Sequence, residues 1–351
     1  MDRVKGNVRF ASIKEIIEPS PLRVEPPCPY FGRCGGCDFQ QLNYQAQLDA
    51  KTEIIKDCLR RIGRLESIPH FELIPAPNEW YYRSRAQWQF DSIRKRLGYF
   101  ESGSHRVCDV AECAVLAPDL ETGLERVRAR MQQNALPDDA RHFRAIVGDA
   151  EVSIVDDRGR SPVHDITRTI NGERYHLNAA SFFQANTDLL PQLIDAALGD
   201  VRGQTAVELY CGVGLFTVPL ARRFEKVVAV EGDAAASDFG RRNLAEADLP
   251  NADIVNKDVA NWLESLECAG LDGALDFLLL DPPRTGAESR VISGILRLKP
   301  KKISYVSCDP ATLARDLRKL IAGDYSVVSI SAFDMFPQTH HVETVVQLAR
   351  R

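Results

Sequence analysis

Cys308 ends the apolar run Ile303, Tyr305, Val306 and stands directly before Asp309-Pro310. A short β-branched run closed by Asp-Pro reads as a strand end and a turn, and Ala311 to Leu320 then reads as a helix. The cysteine therefore falls on a strand-to-helix loop, at the end of a strand where open α/β sheets bind ligands. A free cysteine is by default a packing thiol. What shares its end of the sheet decides whether it is a nucleophile.

Three carboxylates are candidates to share it. "ELYCGVGLFTVPLA" (208–221) puts Gly212 and Gly214 directly after an apolar strand, where glycine lets the backbone turn sharply and approach a ligand. Thr217 stands where a dinucleotide fingerprint would have its third glycine, so the pair alone is weak. Glu231 ends the next strand, 19 residues after Gly212, where a carboxylate can accept both hydroxyls of a ribose. Asp258 ends the third strand, in reach of an adenine amino group, and Asp281 ends the fourth. Each singly could be a helix N-cap. Together they favour a ligand with a ribose, an exocyclic amine and a positive centre, and S-adenosylmethionine has all three. "LLLDPPRTGA" (278–287) adds a rigid Asp-Pro-Pro loop. Amino-group methyltransferases end a similar loop in an aromatic residue; here Arg284 follows, which puts N-methylation second.

A second group of thiols lies near the N-terminus. Cys28, Cys34 and Cys37 have the spacing C-x5-C-x2-C, and Gly35-Gly36 permits a tight wrap. With a fourth thiol from Cys58, Cys108 or Cys113 such a set binds zinc or an iron–sulfur cluster, and spacing leaves both open. Cys58, Cys211 and Cys268 read as packing thiols. The nine cysteines are an odd number in a chain of 351 residues, unlike a small disulfide scaffold. No run of 18 apolar residues and no signal-peptide pattern is present, so a cytoplasmic protein away from membranes is expected. Net charge is −5, which excludes a broadly basic coat, yet residues 81–106 carry Arg83, Arg85, Arg94, Lys95, Arg96 and Arg106 against Asp91 and Glu101. That stretch is either a solvated surface or a phosphate-binding face, with Arg83 a candidate substrate contact.

The elements that must position these residues fall into three stretches. Residues 1–27 offer one strand (Asn7 to Ile17) and a Pro-rich connector, too little for a core. Residues 28–174 are mixed: a helix over Tyr44 to Ile62, a strand at "RAQWQFD", a helix over Leu120 to Met131. Residues 175–351 alternate strands with helices, which indicates a mostly parallel sheet covered on both faces. The last two runs, "YSVVSI" and "ETVVQL", would pair antiparallel at one edge.

"SFFQAN" (181–186), "ELYCGVGLF", "LLLDPPRTG", "SCDPATLARDL" and "DMFPQTHHVETVV" occur in this order, and with them the chain resembles the RNA (uracil-5-)methyltransferase family. "CPYFGRCGGCDFQ" resembles its iron–sulfur branch, which includes bacterial 23S rRNA enzymes. The resemblance spans about 28–351. It implies a Rossmann-like class I methyltransferase domain, with a seven-stranded, mostly parallel sheet and an antiparallel edge strand. A smaller α+β middle domain would carry the cluster. It implies Cys308 as nucleophile and Glu343 as base. Gln184, Tyr210, Gly212, Glu231 and Asp281 would hold S-adenosylmethionine, with Asp258 less firmly matched, and Phe182 would stack near the target base. Asp281 could instead touch that base. The fourth ligand of a [4Fe–4S] cluster would be Cys113, with Cys108 second.

The chemistry is consistent in itself. Carbon 5 of uracil is a poor nucleophile; a thiolate added to carbon 6 makes an enolate whose carbon 5 takes a methyl group, and a base then removes the carbon-5 proton. Reaching carbon 6 requires an unstacked uridine. The partner expected is RNA, 23S rRNA ahead of tRNA, and the state a monomer. A non-catalytic RNA-binding protein on the same fold would be expected to have lost the Cys–Glu pair, and both are present. The family's N-terminal TRAM barrel is matched here only by its end, in "NVRFASIKEIIEPSPLRV".

Overall fold

The computed structural model describes residues 3–5, 8–10, 13–159, 163–265, 271 and 275–351; Cys268 lies outside them. Phe277–Leu280 has four consecutive buried side chains, as a central parallel strand covered on both faces requires. Around it runs a sheet in the order Ala252–Asn256, Phe224–Glu231, Gly203–Leu209, Phe277–Leu280, Lys302–Ser307, Glu343–Arg350, Tyr325–Phe333 and Leu73–Ile74. The first five are parallel. Glu343–Arg350 enters antiparallel between Lys302–Ser307 and Tyr325–Phe333.

Two details differ from the expected seven strands with an antiparallel edge. The antiparallel strand is interior, and an eighth strand, Leu73–Ile74, extends the sheet by pairing with Ala332 and Phe333. Burial explains the order. Glu343 to Val346 are all buried, so that strand needs cover on both faces, whereas Val328 on the neighbouring strand is 59% exposed and suits the margin.

Two apolar cores cover the sheet. One gathers Leu193 and Leu198 of the helix Leu190–Leu198 with Ile166, Ile170 and Tyr175 of an antiparallel hairpin, Ile166–Ile170 with Glu173–Leu177. The expected division at 174/175 falls inside this hairpin. The other core holds the helices Ser289–Leu298 and Pro310–Ala322 and, from the N-terminal part, Ile55 and Leu59 of the helix Tyr44–Arg61. Asn43 caps that helix by accepting from the Ala46 N–H at 2.9 Å.

A separate antiparallel sheet runs Val107–Asp109, Arg96–Phe100, Arg85–Asp91, His142–Val147, Val152–Asp156. The helix Pro118–Gln132 packs Leu120 and Leu124 with the buried Trp88 and Phe143 in a third core. At the N-terminus, Arg3–Lys5 pairs with Val8–Phe10, in place of the single strand expected over Asn7 to Ile17. Among the described residues no helix is long and apolar enough to cross a membrane.

Candidate active site

A cleft of about 860 Å³ opens between the carboxyl ends of the parallel strands and the antiparallel sheet. Its floor begins at the glycine loop. Tyr210 is left-handed (φ 65°), and the N–H groups of Tyr210 and Cys211 both donate to the Val230 carbonyl, at 2.9 and 3.2 Å. Gly212 and Gly214 follow at φ 55° and 90°, a region that favours glycine. The Gly212 N–H donates to Glu231 Oε2 at 2.8 Å, and the Asp233 N–H to Oε1 at 2.8 Å. Glu231 is thus locked at its strand end, facing the cleft with Tyr210 and Gly212. Asp258 is placed differently. It caps the helix Val259–Leu263 through the Asn261 N–H at 2.9 Å and lies 3.5 Å from Arg290, outside the residues that line the cleft.

The reactive end is formed by three strands. Asp281 follows Phe277–Leu280; Gln184 Nε2 donates to it at 3.4 Å, and burial raises its carboxyl to about 7. Cys308 follows Lys302–Ser307, ahead of a helix capped by Asp309, which accepts from the Thr312 N–H at 2.8 Å. Glu343 opens the antiparallel strand, so its interior position delivers a carboxylate beside the thiol. The Glu343 side chain is buried and its Oε1 has no hydrogen-bond partner among the described residues. Burial, then the charge of Asp281, holds its carboxyl well above the usual range. Burial, then the charge of Glu343, pushes the Cys308 thiol up to about 12, against a smaller opposing effect of Arg284. A buried carboxylate with an empty acceptor is costly to keep, and such groups cluster where chemistry occurs.

The opposite wall is cationic. Arg83, Arg85 and Arg144 line it, while Arg284 lines the cleft at the reactive end, in the loop that begins at Asp281. The Nε atoms of Arg83, Arg85 and Arg144 are buried without a hydrogen-bond partner among the described residues. Burial and then Arg144 lower Arg85 to about 10. The Arg85 guanidinium lies 5.2 Å from the ring centre of Phe182, which is 59% exposed. An acidic floor and a basic wall suit a cationic cofactor and a polyanion in one cleft. Arg85 was legible in the alternation that places it on the same strand face as Gln87. Arg144 was not, because only the register that sets Gln87 opposite it brings it to that face.

Cys28, Cys34, Cys37 and Cys113 line one cavity with Gly36, Arg83 and Tyr99. Cys108 does not line it. Its buried thiol accepts from Arg33 Nε at 3.3 Å. Among the described residues no group of three or more His, Cys, Asp or Glu is set to hold a metal ion. Cys58 and Cys211 lie in packed surroundings, Cys211 buried in the glycine loop.

Comparison with known proteins bears on this geometry. Residues 163–351 match the family model described as tRNA (Uracil-5-)-methyltransferase. The 23S rRNA (uracil(1939)-C(5))-methyltransferase RlmD of Pectobacterium atrosepticum is 32% identical, over 97% of this chain and 83% of that protein. An uncharacterized RNA methyltransferase of Thermosynechococcus vestitus is 29% identical, over 99% and 89%. Among solved structures, the Pyrococcus abyssi tRNA (uracil-54, C5)-methyltransferase in complex with S-adenosyl-L-homocysteine aligns with a TM-score of 0.74 and 26% identity, covering 97% of this chain and 92% of that one.

Proposed function

The chain belongs to the tRNA (uracil-5-)-methyltransferase family, S-adenosylmethionine-dependent enzymes that methylate RNA, and from that premise we propose that it makes 5-methyluridine in 23S rRNA through Cys308 and Glu343. The observation that carries the assignment is the pairing, in one cleft, of a thiol with a buried carboxyl group whose Oε1 has no hydrogen-bond partner among the described residues.

The Cys308 thiolate adds to carbon 6 of the uridine, forming a C–S bond and placing the electron pair on carbon 5 and oxygen 4. S-adenosylmethionine supplies the methyl group that carbon 5 takes up. Glu343 removes the carbon-5 proton, the 5,6 double bond re-forms, and the C–S bond breaks to release the thiolate. Tyr210, Gly212 and Glu231 suit the cofactor's adenosine, with Asp281 and Gln184 toward its charged centre. Phe182 offers a face for the unstacked base, and Arg83, Arg85 and Arg144 offer charge for its phosphates.

Support for 23S rRNA over tRNA comes from the 32% identity to a protein named for that substrate. We further infer that Cys28, Cys34, Cys37 and Cys113 hold a [4Fe–4S] cluster. Four soft donors line one cavity, and the buried Arg83 beside them would offset the negative charge of a thiolate-bound cluster. Its role here would be to tie the 28–37 loop to the antiparallel sheet.

Nucleoside mass spectrometry of unmodified 23S rRNA and tRNA transcripts, incubated with anaerobically purified protein and S-adenosylmethionine, tests the assignment. 5-Methyluridine in rRNA alone is expected. Its appearance in tRNA alone overturns the substrate, and methylation that survives Cys308→Ala overturns the mechanism.

A further inference from the structure

The segment that delivers the base has its backbone held by a different part of the chain. Glu343 follows residues 334–341, which bring Phe336, Thr339 and His341 to the cleft. The Asp334 N–H donates to the Ile74 carbonyl at 2.9 Å, and the Asp334 side chain pairs with Lys51 in a fully buried contact. Lys51 also donates to the Phe336 carbonyl at 3.0 Å, and the Tyr82 hydroxyl to that of Pro337 at 3.0 Å. Gln338 is left-handed (φ 68°) and buried, and it exchanges two hydrogen bonds of 2.9 Å with Gln47.

The last ties come from the cysteine loop. The N–H groups of Asp38 and Phe39 both donate to the Gln338 carbonyl at 3.0 Å. The Asp38 carboxylate accepts from the His340 N–H at 2.9 Å and meets the His340 ring nitrogen Nδ1 with its other oxygen. Asp38 directly follows Cys37, while Gly35 and Gly36, on the other side of Cys37, line the cleft.

Resting on the uracil-5 reading above, we propose that Asp38 is a positioning residue for Glu343, joining the cysteine loop to the base-bearing segment through His340 and Gln338. The reason is geometric. Among the described residues nothing donates a hydrogen bond to Glu343 Oε1 to fix it, so its aim depends on the backbone before it, and that backbone is held from residues 38–82. Misplacing a catalytic group by about 1 Å costs on the order of a hundredfold in rate.

The step at risk comes late, which gives the proposal its own signature. Addition of Cys308 and methyl transfer precede proton removal, so a misdirected base leaves the methylated uridine attached to Cys308. Asp38→Ala and His340→Ala are then expected to turn over about 10- to 100-fold more slowly and to accumulate a denaturant-stable protein–RNA adduct, seen as a shifted band on a denaturing gel. Both side chains are about half exposed, 47% and 55%, so the fold should tolerate the changes. Asp38→Asn, which keeps one oxygen for the His340 N–H, should recover most of the turnover. Iron content and S-adenosylmethionine affinity should stay as in the wild type.

Wild-type turnover in both alanine variants overturns the proposal. So does slow turnover without adduct, which would place the defect before the base. Glu343→Gln is the control. If it yields no adduct and the wild type makes no 5-methyluridine, the uracil-5 reading fails first and the proposal with it.

Discussion

Two regions of this molecule gather sulfur near a charged group, and they do so in opposite senses. In the cleft, one thiol faces carboxylates: Glu343 and Asp281 both raise Cys308 above its ordinary range, beyond what burial does. In the N-terminal cavity, four thiols surround a guanidinium, and Arg83 acts to lower Cys37 and Cys113 against their burial. The first arrangement keeps the thiol protonated at rest, so the proposed nucleophilic role requires its proton to be removed first. In the second, burial still leaves Cys37 and Cys113 raised, and Arg83 offsets part of that shift, which would help the thiolates that the proposed cluster needs. The difference lies in the charge beside the sulfur, carboxylates at Cys308 and a guanidinium at Cys37 and Cys113.

The largest test of that contrast is removal of each kind of sulfur. Cys308→Ala should lower 5-methyluridine formation by at least about 10⁴-fold with S-adenosylmethionine binding intact, measured by nucleoside mass spectrometry and calorimetry. Equal loss in folded, iron-free Cys113→Ser would break the contrast. Next in size, Cys113→Ser should lose iron and about 5–10 °C of thermal midpoint, while Cys108→Ser, whose thiol lies outside the cavity, should keep its iron.

A third test uses pH. The Cys308 thiol is raised to about 12 and Glu343 is raised too, so both rest protonated, and the deprotonated forms that the proposed mechanism uses gain population as pH rises. Single-turnover rates should climb with pH from about 6 to 9, by at most about tenfold per unit for each group that limits. Arg284 opposes both shifts, so Arg284→Ala should move that rise to higher pH. A rate that falls across this range would contradict the protonated resting thiol. The smallest effect is expected at Asp258, which caps a helix outside the cleft: Asp258→Asn should change cofactor affinity by less than about threefold in titration calorimetry.

Asp258 also marks the limit of reading by spacing. Glu231, Asp258 and Asp281 look equivalent as carboxylates at successive strand ends, and each could have been a cap. Glu231 and Asp281 face the cleft, whereas Asp258 turns to its own helix. Spacing along the chain fixes which strand end a residue occupies and leaves its side-chain direction open. The N-terminal part shows the same limit. Periodicity found the helix Tyr44–Arg61 within a residue, but its packing against Pro310–Ala322 and its grip on residues 334–338 through Lys51 and Gln47 depend on pairs hundreds of positions apart.

By itself the sequence determined the alternation of strands and helices after residue 200, the glycine turn, the loop site of Cys308 and the family, because each is written in residue types a few positions apart. Tertiary structure alone decided that Glu343 opens an interior strand and shares the cleft with Cys308, that Arg144 joins Arg85, and that Cys113 rather than Cys108 lines the N-terminal cavity. Those outcomes depend on strand order and register, which are set by burying apolar faces across the whole chain and not by any local pattern.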